Sequence, residues 1–236
     1  MSLASKLPAG LDPSLKRGLD LILAGFAGAL LTPIAPLIAA AIRLESPGPI
    51  LFQCQRLGRW GRPIRLWKFR TMLHGAPERF NADGSRLVES RDPRVTRVGA
   101  FLRRGLDELP QVVSVLRGQL SFIGPRPDDL FAVDLYDGAE WLKLSVIPGI
   151  TGLAQVSGRN DIPYHERLKY DVYYALRRDI VLDVRILIRT LALAMGRPPA
   201  RPLVDIAAIE AVAAMPELAG RGAAIAAAVR AKARFR

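Results

Sequence analysis

The sequence has 236 residues, half of them hydrophobic, which is enough for one sizeable domain with a buried core. Its formal net charge of +12 suits nucleic acid, an anionic membrane or phosphorylated small molecules, and charge alone does not choose among these partners. A single cysteine, Cys54, excludes an internal disulfide, and two histidines far apart leave no basis for a zinc site or a Ser-His-Asp arrangement.

An apolar run of bilayer length occupies residues 19–42, with Asp20 and Thr32 as its polar members. Pro33 and Pro36 lie in its middle, where each removes a helical hydrogen bond and favours a kink. Basic residues flank both ends of the run, and such residues favour the cytoplasmic side of a membrane. A helix broken at Thr32 and Pro33 that enters the membrane and returns satisfies both observations. A kinked span and a buried helix of a soluble core are the alternatives.

The rest of the chain alternates short regular segments with turns. Two β-prone runs around Gly58-Arg59-Trp60-Gly61 predict a hairpin rich in Arg and Lys. Residues 180–195 are predicted to form an amphipathic helix that lies among lipid headgroups. Other helices are predicted near residues 98–104, 108–116, 128–137, 140–145 and 163–179, and the stretch 149–158 is glycine-rich and short of helix formers.

The stretch "GLDELPQ", which follows directly on the basic pair Arg103 and Arg104, contains two adjacent carboxylates, Asp107 and Glu108. One interpretation is that Asp107 caps a helix, since Asp is a favoured N-cap and an early proline is tolerated. A helix N-terminus also binds anions, and arginines add phosphate donors. A carboxylate there can hold Mg²⁺ or attack phosphorus. Because adjacent helical residues point in different directions, the two carboxylates are expected to have different roles.

Seven ordered blocks resemble the bacterial sugar transferases, the small monotopic phosphoglycosyl transferases, between about Lys16 and Met195. The blocks are "KRGLDL" with the proline-broken apolar run, "WKFRTM", "DPRVTRVGAFLRR", "LDELPQ", "GQLSFIGPRP", "PGITGLAQVSGRN" and "YDVYYALRRDIVLDVRIL". The resemblance implies transfer of a sugar 1-phosphate from a UDP-sugar to a polyprenol phosphate such as undecaprenyl phosphate, with release of UMP. It places this reaction at the cytoplasmic face of the bacterial inner membrane, at the start of glycan or exopolysaccharide assembly.

The resemblance also implies roles for individual residues. Asp107 matches the carboxylate that attacks the β-phosphate and forms a covalent phosphosugar intermediate, with Mg²⁺ nearby. Glu108 matches a second carboxylate that acts in acid–base chemistry or supports the metal, so both are expected metal ligands. Thr32 and Pro33 match the hinge of a re-entrant membrane helix. The residues expected to bind substrate are Lys68, Arg70, Arg103, Arg104, Arg126, Gln155 and Arg159.

The sequence departs from the family pattern at two points. The run between the Arg103-Arg104 pair and Asp107 is one residue shorter than usual, and Gln119 stands where an aspartate is frequent. These departures leave open which arginine meets the phosphate. They also support an alternative, in which the fold is kept as an inactive scaffold for polysaccharide assembly.

The predicted fold is α+β and mainly α, in three parts. These are a re-entrant membrane helix hairpin (residues 1–45), a cytoplasmic phosphoglycosyl transferase core with a small β-hairpin and interfacial amphipathic helices (46–200), and an alanine-rich helical appendage (201–236). The expected partners are a UDP-sugar, polyprenol phosphate and membrane lipid, without nucleic acid, and homodimer formation is left open. The rival function is a membrane-attached basic protein that binds anionic lipid or nucleic acid without catalysis.

Overall fold

A computed structural model describes residues 11–77, 79, 92–158, 162–197 and 203–233, with side chains as far as residue 231. This part of the protein contains eight α-helices and two small sheets. The helices are α1 (Pro13–Glu45), α2 (Arg97–Leu102), α3 (Val112–Leu116), α4 (Leu153–Ser157), α5 (Tyr164–Arg177), α6 (Ile180–Ala194), α7 (Ile206–Ala213) and α8 (Pro216–Ala233). The strands are β1 (Leu51–Leu57), β2 (Pro63–Phe69), β3 (Ser121–Ile123) and β4 (Gly149–Thr151). Short 3-10 segments occupy Arg59–Gly61, Leu109–Gln111, Leu130–Asp134 and Gly138–Ser145. The protein is therefore mainly helical, as predicted.

Helix α1 contains the apolar run. Asp12 caps it by accepting the N–H groups of Ser14 and Leu15 at 2.8 and 2.9 Å. The helix continues through both internal prolines, and the Thr32 hydroxyl donates to the Gly28 carbonyl at 2.8 Å. Such a bond supports the backbone where prolines remove N–H donors. The structure has one helix across this point, and the re-entrant hairpin stays a prediction.

The two faces of α1 have different surroundings. One face is buried against the rest of the protein through Asp20, Ala24, Ile38 and Ile42. The opposite face exposes large apolar side chains: Leu15, Leu21, Ile22, Phe26, Leu30, Ile34, Leu37 and Leu44. Of the single helices in the described ranges, α1 is the one long and apolar enough to cross a membrane. Helices α7 and α8 reach the same length and hydropathy only when taken together, and they are bent by 64° relative to each other.

Both ends of α1 are bonded to the same body. Near its start, the Arg17 guanidinium donates to the Val115 carbonyl at 2.6 Å, at the end of α3. At its last residue, the Glu45 carboxylate accepts the N–H groups of Arg97 and Val98 at 2.6 and 2.9 Å, at the start of α2. Helix α1 is thus tied to α3 near its start and to α2 at its end.

The predicted hairpin is confirmed. Strands β1 and β2 pair antiparallel from Leu51↔Phe69 to Leu57↔Pro63. The second sheet was not predicted: β3 and β4 pair in parallel, and each strand is too short to show a recognisable alternation in the sequence. A Cβ added to Gly149 would lie 2.1 Å from the Gly124 nitrogen, so only glycine permits this close approach.

Helix α8 packs against the 3-10 segment Gly138–Ser145. Its apolar residues Leu218, Ile225 and Val229 share one buried cluster with Trp141 of that segment. At the contact, a Cβ added to Gly222 would lie 1.9 Å from the carbonyl oxygen of the facing segment. The alanine-rich region, to which the sequence assigned no role, therefore contributes to the hydrophobic core.

Candidate active site

The β1–β2 hairpin presents Lys68 on its inner face. Cys54 pairs with Leu66 across the hairpin and both are buried, and Lys68 lies two residues after Leu66 on the same face. The next residue, Phe69, donates its N–H to the Asp107 carbonyl at 2.9 Å. This bond brings the end of β2 beside the acidic pair.

A tight turn after α2 carries the two carboxylates. The N–H groups of Leu106 and Asp107 both donate to the Leu102 carbonyl, at 2.8 and 3.0 Å. Gly105 has a φ of +121°, a conformation that residues with a Cβ rarely adopt. The following segment begins as a 3-10 turn whose N-cap position is Glu108, and no side chain caps it. The interpretation of Asp107 as a helix cap is therefore wrong.

Glu108 is the meeting point of two basic side chains. Its Oε1 lies 2.5 Å from Lys68 Nζ and 3.1 Å from Arg126 Nη2. Burial alone would raise the pKa of Glu108, but Arg126 and Lys68 outweigh burial and hold this pKa at about 2. Glu108 is therefore ionised at neutral pH and keeps both cations in place.

Asp107 is shifted in the opposite direction. Burial raises the pKa of its carboxyl group, Lys68 opposes the rise, and the charge of Glu108 adds to it. Arg126 also acts on Asp107, so the carboxylate lies within the field of both cations. Titratable neighbours whose environments push their pKa values apart are suited to different chemical roles. The division of roles predicted for the pair thus has a physical basis.

Arg126 comes from the loop that follows β3. Backbone bonds hold this loop on two sides, because the Gly149 N–H donates to the Pro125 carbonyl and the Leu57 N–H donates to the Asp128 carbonyl. The two distances are 2.9 and 2.8 Å. The loop is therefore fixed between β4 and the hairpin, and its arginine is directed to Glu108.

A buried polar cluster anchors the same loop. Lys143 is 4% exposed, and its Nζ lies 2.6 and 2.8 Å from Oδ2 of Asp128 and of Asp171. Tyr136 and Tyr164 donate their hydroxyls to the same Asp128 oxygen, at 2.7 and 3.1 Å. Burial would lower the pKa of Lys143, but the two aspartates raise it, so this lysine stays charged. The sequence analysis did not predict this cluster. The one feature nearby in the sequence that could have pointed to it is Asp128, which directly follows the Pro-Arg-Pro turn.

Three of the predicted basic residues make other contacts. Arg70 is buried, and its guanidinium donates to the carbonyls of the two residues that follow α1, at 2.5 and 2.7 Å. The Nε of Arg103 donates to the Thr71 hydroxyl at 3.2 Å. Arg104 is exposed, with its guanidinium 5.7 Å from the centre of a neighbouring phenylalanine ring. None of these contacts involves Asp107 or Glu108, and phosphate binding by the three arginines stays a prediction.

The glycine-rich stretch contains two further predicted residues. Gln155 lies on α4, and both polar atoms of its side-chain amide are buried without a hydrogen-bond partner in the described part of the chain. Arg159 lies outside the described residues. The roles of both in binding sugar or nucleotide stay predictions.

A small open pocket lies beside the acidic pair. Lys68, Glu108 and Arg126 line it together with Arg56 and Gln111, two residues that the sequence analysis did not single out. One feature of the sequence could have identified Arg56: it is a charged residue among the alternating apolar positions of the predicted hairpin, two residues before the turn. The pocket is thus lined by three cations and one carboxylate.

The carboxylates suited to a metal ion are the adjacent pair Asp107 and Glu108. Within the described ranges, no three His, Cys, Asp or Glu side chains are grouped to enclose a metal. Mg²⁺ commonly needs only one or two carboxylates, because substrate phosphates and waters complete its shell. Lys68 and Arg126 both contact Oε1 of Glu108, so the carboxylate that would help to hold a metal is already oriented. Two adjacent carboxylates match this need, and Mg²⁺ binding by the pair stays a prediction.

Comparisons with known proteins point to one family. A family model described as bacterial sugar transferase matches residues 11–197. The exopolysaccharide production protein ExoY of Rhizobium meliloti is 37% identical over 189 residues, which cover 75% of this chain and 83% of the relative. Helices α7 and α8 lie beyond the matched residues.

Two further relatives have a reaction in their names. The UDP-glucose:undecaprenyl-phosphate glucose-1-phosphate transferase of Escherichia coli is 38% identical over 191 residues, 77% of this chain and 40% of the relative. The UDP-N-acetylgalactosamine-undecaprenyl-phosphate N-acetylgalactosaminephosphotransferase of Aeromonas hydrophila is 36% identical over 198 residues, 80% of this chain and 45% of the relative. The chain thus matches less than half of each of these longer proteins.

Proposed function

Because the chain belongs to the bacterial sugar transferase family, we propose that it transfers a sugar 1-phosphate from a UDP-sugar to undecaprenyl phosphate or a related polyprenol phosphate and releases UMP. Two relatives are named for this donor and acceptor, with different sugars. The observation that carries the proposal is the pair Asp107 and Glu108, with opposite pKa shifts beside Lys68 and Arg126. In this proposal the product starts glycan or exopolysaccharide assembly, and the relative ExoY is named for exopolysaccharide production.

Asp107 is the nucleophile in this proposal. Its carboxylate oxygen bonds to the β-phosphorus of the UDP-sugar, and the bond from that phosphorus to the bridging oxygen breaks, so that UMP leaves. A phosphate oxygen of the polyprenol phosphate then attacks the same phosphorus, and the Asp107 carboxylate is released. Burial supports the first step, because a desolvated carboxylate with a raised pKa is more basic than one in water.

Glu108 and its two cations stabilise the charge that both steps bring together. Attack by an anion on a diphosphate requires neutralisation, and Lys68 and Arg126 stand ready to supply it because Glu108 holds them in place. Asp107 and Glu108 would hold Mg²⁺, which supplies further neutralisation of the diphosphate when bound. Fixed charges of this kind need no rearrangement during the reaction.

The protein acts as a monotopic enzyme at the cytoplasmic face of the inner membrane in this proposal. A straight helix of the length of α1 spans about 50 Å, so a simple crossing would carry one end away from the body. Both ends of α1 are instead bonded to that body, through Arg17 and Glu45. The exposed apolar faces of α1 and of α6 then face lipid, and α6 supplies Val184, Ile188 and Leu191.

A turnover assay tests the function. The protein in nanodiscs is incubated with Mg²⁺, undecaprenyl phosphate and a panel of UDP-sugars, and UMP release is measured. We expect release with at least one sugar, loss of turnover in Asp107→Asn, and normal turnover in Asp134→Asn, a matched exposed aspartate. Without the acceptor, mass spectrometry of the wild type should find a sugar phosphate on the peptide that contains Asp107.

Two outcomes overturn the proposal in different ways. Substantial transfer by Asp107→Asn excludes this residue as the nucleophile. Absence of UMP release with every sugar excludes the reaction itself. Binding of lipid or nucleic acid that falls steeply with salt, and that needs neither Asp107 nor Mg²⁺, would favour the non-catalytic alternative.

A further inference from the structure

Arg56 shares the inner face of the hairpin with Lys68. It pairs directly with Ile64 across the two strands, and Ile64, Leu66 and Lys68 alternate along one face of β2. The Arg56 side chain is 14% exposed and that of Lys68 is 18% exposed, so the two cations are equally well enclosed. Both line the pocket beside the acidic pair.

One ion pair holds Arg56 in position. Its Nη1 contacts Oδ1 of Asp129, three residues after Arg126 in the loop that follows β3. A guanidinium has five N–H donors in a planar fork, and one carboxylate takes two of them at most. The ion pair therefore orients Arg56 and leaves donors for another anion.

The charges of the pocket separate Arg56 from the other two cations. Lys68 and Arg126 both contact Oε1 of Glu108, so these two cations share one carboxylate of the site. Among the described residues that line the pocket, Arg56 is the cation with no contact to Glu108. Arg56 is paired with Asp129 instead, so it adds to the pocket a third cation that is anchored outside the acidic pair.

We propose that Arg56 is a further substrate-binding residue, whose guanidinium donates to a phosphate oxygen of a substrate. The inference rests on the proposed function, in which both the UDP-sugar and the polyprenol phosphate carry such oxygens. Arg56 supplies binding and orientation, since Asp129 fixes one side of its fork and the free side faces the phosphate. Arg56, from β1, would then be the third cation of the site that binds phosphate, after Lys68 and Arg126.

The contact between Arg56 and a phosphate is tested by calorimetric titration of the protein in nanodiscs with UDP. Uridine, which lacks phosphate, is the control ligand, and ligand-observed NMR measures its binding. Loss of a hydrogen bond to a charged group should weaken UDP binding about tenfold to a hundredfold in Arg56→Met and leave uridine binding unchanged. The matched control is Arg65→Met, an exposed arginine on the outer face of the same hairpin, with UDP affinity within about threefold of wild type. Arg56→Lys keeps the charge without the fork and should fall between Arg56→Met and wild type.

The variant Asp129→Asn distinguishes direct phosphate binding by Arg56 from an effect that acts only through the ion pair with Asp129. It breaks the same ion pair but retains the guanidinium, so UDP affinity should fall by less than about fivefold. A loss as large as that of Arg56→Met would overturn the proposal, because Arg56 would then act only through the ion pair. If Arg56→Met does not fold, Arg56→Lys carries the same comparison with Asp129→Asn.

Two further measurements identify the phosphate and separate this inference from the proposed function. An increased KM for the UDP-sugar alone assigns the contact to the donor, and an increased KM for undecaprenyl phosphate alone assigns it to the acceptor. If both KM values and the UDP affinity are unchanged in Arg56→Met, the inference is wrong. If the wild type releases no UMP while UDP binding still depends on Arg56, the proposed function fails and this inference stands.

Discussion

Lys68 Nζ lies 2.5 Å from Glu108 Oε1, and Arg126 contacts the same oxygen at 3.1 Å. The three side chains come from β2, from the turn after α2 and from the loop after β3. Their meeting places one carboxylate that is ionised at neutral pH between two cations, next to a second carboxylate with a raised pKa. The electrostatics of this group lead to the first two predictions.

The variant Lys68→Met should raise the pKa of Glu108 above its value of about 2, because one of the two cations that lower it is removed. An opposite charge at this distance accounts for about one pKa unit or more. A ¹³C NMR titration of the glutamate carboxyl signals measures the change, with Arg65→Met as the control that removes a charge from the outer face of the hairpin. An unchanged pKa of Glu108 in Lys68→Met would contradict the assignment.

Acid should destabilise the wild type through Glu108. The folded pKa of about 2 lies below the ordinary value of 4.5, so the ionised carboxylate stabilises the fold above pH 4.5, and this contribution is lost as the pH falls toward 2. Glu108→Gln lacks the contribution and should be less stable near pH 7, by on the order of 3 kcal/mol. Urea unfolding followed by tryptophan fluorescence should show this gap close between pH 4.5 and 2. A gap that is constant with pH would refute the ion-pair explanation.

Lys143→Met should strongly reduce stability. Removal of the lysine leaves Asp128 and Asp171 buried without their cation, and breaking a buried ion pair costs about 3–5 kcal/mol. The control is Lys169→Met, which breaks a partly exposed pair with Glu166 and should change the free energy of unfolding by less than about 1 kcal/mol. Chemical denaturation measures both variants, and equal effects would argue against a structural role of the cluster.

Two glycines of α8 provide a matched test of its docking. Gly222→Ala places a Cβ against a backbone oxygen and should destabilise the protein by about 1–3 kcal/mol. Gly220→Ala meets no atom within 4 Å and should stabilise the helix by up to about 1 kcal/mol. Thermal unfolding, together with proteolysis of residues beyond 203, distinguishes the two variants. If Gly222→Ala is as stable as Gly220→Ala, α8 does not pack as described.

Local patterns were sufficient for several elements. The hairpin was predictable because alternating runs and a glycine-bounded turn lie within twenty residues of each other. Helices α5 and α6 were predictable because apolar residues recur at helical spacing over three or more turns. The chemistry of Asp107 and Glu108 was open to sequence reasoning because the two carboxylates are adjacent in the chain.

The destinations of individual cations were not predictable in the same way. Lys68 and Arg70 are two residues apart in one basic motif, yet Lys68 reaches Glu108 while Arg70 binds carbonyls at the end of α1. The difference arises at Phe69, where β2 ends and the chain leaves the strand. No periodicity in the sequence reports which distant segment each side chain meets.

The amino-acid sequence by itself determined the apolar helix, the hairpin and the acidic pair, since each depends on residues close together along the chain. Only the tertiary structure decided that Lys68 and Arg126 share one oxygen of Glu108, that Arg56 joins their pocket, and that α8 completes the core. The physical reason is range: propensity and periodicity act over a few residues, whereas burial and charge pairing depend on which segments meet when the chain is folded.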